Sequence, residues 1–157
     1  MKLKIVFIMK KTKFIFKIIL LSFLCSSAVF GEDSKYFSEG KKLFENKEFD
    51  ESKFFFEKDI IFNPKEERSY LYLAKVFYEF ENDIEEEVNL NNVLMLNPKN
   101  EEAIYMLTIL KIKQSDYNEA KELIEIFNLV CKNFCKKKNE LMKKFKKIVP
   151  ENDERKN

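Results

Sequence analysis

Asn63-Pro64-Lys65 and Asn97-Pro98-Lys99 are the same tripeptide, 34 residues apart. Reading outward from these two turns organises the whole chain. If each proline is set at the same place in a 34-residue frame, three consecutive units result, residues 33–66, 67–100 and 101–134. A fixed period of this length marks stacked supersecondary units, each unable to bury its apolar face alone. Within the frames Tyr36, Tyr70 and Ile104 share position 4, and Gly40, Ala74 and Thr108 share position 8, where a small residue lets two helices approach. Phe49, Ser52 and Phe56 of the first unit match Tyr117, Ala120 and Ile124 of the third at positions 17, 20 and 24. The second unit departs from this, with Asp83 and Glu86 at positions 17 and 20, although Leu90 and Val93 rejoin the apolar pattern.

The spacing predicts helices over 34–46, 49–62, 67–81, 84–96, 101–114 and from 117 onward, started by Asp33 or Ser34 and by Asp116, and ended by the Asn-Pro-Lys turns. Phe56, Leu73, Phe77, Leu90, Leu107 and Ile124 are the expected core. Asp59 stands where a small residue is usual and is expected near the surface or matched to a cation, because a lone buried carboxylate is costly. Composition agrees with helices: 36% of residues are charged and 45% hydrophobic, with only 2 glycines and 3 prolines to break a long element.

In these positions the sequence resembles the tetratricopeptide repeat (TPR) family over about 102 residues. The resemblance implies an all-α fold of tandem helix-turn-helix repeats, about three hairpins in a short right-handed solenoid, with a C-terminal helical extension. It also implies a concave groove lined by the first helix of each hairpin. Carried over position by position, that groove would present Phe37, Lys41, Phe44, Arg68, Leu71, Tyr72, Lys75, Tyr78, Tyr105, Met106, Ile109, Ile112 and Lys113. Some relatives grip a partner's C-terminal carboxylate with Lys, Asn and Arg; around those places stand Phe37, Lys41, Tyr72, Glu102 and Met106, so the clamp is absent. The expected guest is an apolar or aromatic peptide or protein loop, with Lys41, Lys75 or Lys113 reading an acidic flank.

Residues 1–31 have a different character. Lys10, Lys11, Lys13 and Lys17 precede and flank the apolar run from Ile18 to Leu24, and the small residues up to Gly31 follow, the order of a secretory signal. Cleavage is expected after Gly31, or alternatively after Ala28, and translation starts at Met1 or at Met9. The domain plan is therefore a signal peptide at 1–31, a repeat domain at 32–134, and a basic amphipathic helix with a disordered tail at 135–157. The expected location is the periplasm or cell envelope of a bacterium. Two membrane attachments are compatible with the sequence: lipidation of Cys25, against which bulky Phe23 and Leu24 argue, and the C-terminal helix.

Six of the 29 basic residues lie in the first 31 with no acid among them, so the remainder carries 23 basic against 27 acidic residues. That balance gives no pull toward nucleic acid. His is 0, and the two glycines, Gly31 and Gly40, form no phosphate loop. Neither catalysis nor a cofactor is expected. The run Glu85, Glu86 and Glu87 reads as a solvated helix face. The functional expectation is a non-enzymatic protein-interaction module; the alternative is a structural subunit docking through its last helix to a partner helix, a second copy or a membrane.

That last helix is the boldest expectation. Residues from Ala120 to Val149 keep one apolar stripe with no Gly or Pro between them, which predicts a single helix running to Val149; the alternative is a turn near Asn133 and a seventh helix capping the stack. On one continuous helix, Cys131 and Cys135 would be packing residues rather than an internal disulfide.

Overall fold

The computed structural model describes residues 33–148. The export segment with its start and cleavage points, Cys25, and the chain after Ile148 lie outside the described residues. Seven α-helices follow one another, with no strand among the described residues: α1 (Lys35–Glu45), α2 (Phe49–Phe62), α3 (Glu67–Glu79), α4 (Asp83–Leu96), α5 (Glu101–Lys113), α6 (Tyr117–Val130) and α7 (Lys138–Ile148), with a 3-10 turn at Cys135–Lys137 before the last. The pairs α1–α2, α3–α4 and α5–α6 form hairpins, and each hairpin packs on the next through α2–α3 and α4–α5. This is the expected array of three repeats.

Local chemistry sets the boundaries. Ser34, Asn82, Asn100 and Asp116 accept the backbone N–H three residues ahead and so satisfy orphan donors at four helix starts. Between the helices of each hairpin one residue takes a left-handed conformation, namely Lys47 (φ 65°), Glu81 (φ 55°) and Ser115 (φ 62°), again 34 residues apart. The following N–H groups of Glu48, Asn82 and Asp116 then reach back to the carbonyls of Leu43, Phe77 and Lys111 and close the helix end. Glycine is the usual residue there, so this repeat was not visible as a glycine signal.

All six expected core residues are buried. At position 8, Gly40, Ala74 and Thr108 are buried too. A Cβ on Gly40 would lie 2.9 Å from Cε1 of Phe56, which explains why the first hairpin has no side chain there. The second helices of the hairpins leave Ile61, Met95 and Leu129, which share one repeat position, largely exposed.

Three expectations are corrected. Asp59 is fully enclosed and has no cation. Its carboxylate instead accepts hydrogen bonds from the hydroxyls of Ser34 and Ser69 and from Asn63 Nδ2 at 2.8 Å. Ser34 caps α1 and Ser69 lies in the first turn of α3, so the acid sits at two positive helix ends, which replace the expected counter-ion. Second, the chain does not continue as one helix to Val149: α6 stops at Val130 and α7 folds back onto α5 and α6, burying Leu141. The Glu101 carboxylate collects the backbone N–H groups of Lys132, Asn133 and Phe134 at 2.8–3.3 Å, an interaction that continued helix would forfeit. Third, because the helix ends before Cys131, its sulfur meets that of Cys135 in a disulfide, with the Cα atoms 5.2 Å apart.

Candidate functional site

Helices α1, α3 and α5 are the first helices of their hairpins, and they carry the residues expected to line the groove. Six of those residues, Phe44, Lys75, Tyr78, Tyr105, Met106 and Ile109, line one cleft of about 430 Å³. Phe37 and Leu71 are instead almost wholly buried and belong to the core. Phe37 lies edge-on to Tyr72 and is covered by the Arg68 guanidinium, 4.4 Å from the ring centre, while Arg68 itself is held by Glu66 and Asp33. Tyr72 is half-buried, stacked on Phe56 with Lys75 above its ring. Burial, aided by the Glu45 and Glu102 charges, raises its phenol pKa. Lys41 is exposed and pairs with Glu45. Ile112 and Lys113 line an adjoining depression of about 780 Å³ with Tyr117 and Ile148, and Tyr78 and Ile109 border both.

The far wall of the cleft was not anticipated. Because α7 folds back, it adds Glu140 and Lys144 to the lining of the cleft. Glu140 accepts from Lys137 at 2.9 Å and from the Tyr105 hydroxyl at 3.0 Å, which holds its carboxyl down to about 2. Burial, and then the same hydrogen bond, pushes the Tyr105 phenol up.

Electrostatically the cleft differs from the expected acid-reading groove. Lys75 is tied to Glu102 at 2.9 Å, Lys144 to Glu140 at 3.4 Å, and Lys113, outside the cleft, to Asp83 at 2.6 Å. Four carboxylates, Glu79, Glu86, Glu102 and Glu140, thus face two lysines that are both already paired. The cations expected to read an acidic flank are occupied.

Glu86 is the residue that sequence reading placed wrongly. As a residue it is only 4% exposed, and among the described residues nothing hydrogen-bonds or ion-pairs with its carboxyl, whose oxygens keep contact with solvent. Burial, and then the nearby Asp83 charge, pushes it up to about 7 against a weaker opposing pull from Lys113. Its repeat equivalents, Ser52 and Ala120, are small and fully buried, and Ser52 donates to the Gly40 carbonyl. The longer glutamate in that slot extends past the helix contact and reaches the cleft. The signal was present in the sequence as the departure at position 20.

No family model matches the chain, and no curated protein matches it by sequence. Solved structures do. The first TPR domain of Spaghetti (RPAP3), bound to the HSP90 peptide SRMEEVD, matches with a TM-score of 0.63 at 20% identity over 69% of this chain and 86% of that one. The TPR2B domain of yeast Sti1, from a complex with pHsp70, matches at 0.66 and 16% identity over 73% and 98%. A chain of the CopN–Scc3 complex matches at 0.62 and 17% identity over 79% and 84%. With the 34-residue recurrence of caps, turns and small contact residues, these likenesses establish that the chain has the TPR-like fold.

Proposed function

We propose that this chain is a non-enzymatic protein-interaction module that docks a peptide segment or protein loop in the cleft between α3, α5 and α7. The carrying observation is the cleft itself: Phe44, Tyr78, Tyr105, Met106 and Ile109 leave aromatic and apolar surface around an open volume large enough for a few side chains. Similar folds bound to peptides or protein partners support the reading. The alternative, a structural subunit docking through its last helix, has less support, because Leu141 of that helix already packs in the core.

The reading includes the export plan: a signal peptide at 1–31, a repeat domain at 32–134 and an extension at 135–157, in the bacterial envelope. The disulfide between Cys131 and Cys135 supports an oxidising compartment. Protease digestion of osmotically opened cells should degrade the protein before the inner membrane is broken; protection until then overturns the location. For docking, a displayed peptide library is selected against the naturally processed chain. Selected peptides should bind at least about tenfold more weakly to Tyr78→Ala and Ile109→Ser variants that melt as the native protein does. Failure to select any peptide, or indifference to both changes, overturns the docking site.

A further inference from the structure

We propose that Glu86 reads a positive charge on the docked segment, so that the cleft takes an aromatic or branched apolar side chain next to a lysine or arginine whose cationic head meets the Glu86 carboxylate. This rests on the cleft being the docking site and adds the chemical class of its guest.

Three observations carry it. The first is solitude in a largely enclosed place: Glu86 is 4% exposed as a residue and its carboxyl has no partner among the described residues, so its oxygens are satisfied only through the opening of the cleft they line. The second is placement, since the repeat equivalents Ser52 and Ala120 fill the slot and glutamate adds reach toward the cleft it lines. The third is charge complementarity. Lys75 and Lys144 are committed to Glu102 and Glu140, which leaves Glu79 and Glu86 as the acids of the cleft without an ion-pair partner among the described residues. An acidic guest would meet Glu79 and Glu86 with no free lysine in the cleft to offset them, whereas a cation arriving beside Glu86 supplies the missing partner and favours its ionised form. Lysine and arginine side chains suit this geometry because their aliphatic stems can lie along Tyr78, Met106 and Ile109 while the head reaches inward.

The test is a parallel selection of one displayed peptide library on the naturally processed native chain and on Glu86→Gln. Glutamine keeps size and polarity and removes the buried acid, so the variant should fold at least as well as the native chain, which a melt verifies. Expected is enrichment of lysine or arginine beside an aromatic or branched apolar residue on the native chain, and loss of that enrichment on the variant. A selected lysine peptide should bind Glu86→Gln at least about tenfold more weakly, while its norleucine analogue should bind both proteins within about twofold. Selected peptides that are apolar without a basic residue, that are acidic, or that keep their basic residue on Glu86→Gln overturn the proposal and leave docking in the cleft standing. An empty selection on the native chain overturns both.

Discussion

Two buried acids illustrate opposite solutions to one problem. Asp59 has two hydroxyls, an amide and two helix starts around it, and it ties α1, α2 and α3 together. Removing it strands those donors, so Asp59→Ala should cost about 2–3 kcal/mol in urea unfolding, more than an exposed aspartate such as Asp50. Glu86 has no such partners, and its folded pKa of about 7 lies above the ordinary value of 4.5. The folded state therefore holds a proton that the unfolded chain has released. The sign follows directly: this contribution to stability is complete below about pH 4.5 and is lost as pH rises through about 7. The native protein should weaken over that window relative to Glu86→Gln by about 1–2 kcal/mol, less than the full shift because the carboxyl keeps contact with solvent, measured as the difference between their unfolding free energies. Glu66, Glu87, Glu101 and Glu140 are all shifted downward and act below the window, so they do not mimic the effect.

At the scale of elements, the deciding feature is the stop at Val130 and the return of α7. The apolar stripe from Ala120 toward Val149 is real, but periodicity reports only that residues share a face, and two shorter helices joined by a turn satisfy it as well as one long helix. Backbone hydrogen bonding decided between them, through Glu101 and the three N–H groups it gathers. Spin labels at positions 122 and 146 should lie well short of the roughly 36 Å that one straight helix of that length would give. A separation near that value would restore the continuous helix and remove the far wall of the cleft.

Across the whole molecule, stability is a chain of neighbour contacts. The second and third hairpins share one core with Leu141, while the first hairpin and α3 share another, so the array has little redundancy. Leu107→Ala, at the centre of the larger cluster, should cost about 2–5 kcal/mol and lower the melt of the entire array. Leu141→Ala should chiefly loosen α7, seen as faster amide exchange confined to residues 132–148, with the first hairpin unchanged.

The sequence by itself determined what repeats. The two Asn-Pro-Lys turns, the small residues at Gly40, Ala74 and Thr108, and the apolar positions of the hairpins recur every 34 residues because each unit must bury the same face against its neighbour. Helix boundaries and core were therefore legible, to within a residue or two at most ends. Only the tertiary structure decided what does not repeat: that Asp59 is enclosed among donors from the ends of three helices, that Cys131 meets Cys135, that Glu140 lines the cleft, and that Glu86 lines it without a partner among the described residues. Each depends on groups brought together from separate elements. A periodic pattern fixes which face of a helix is buried, but the charge and hydrogen-bond partners waiting on that face come from wherever the packed chain delivers them.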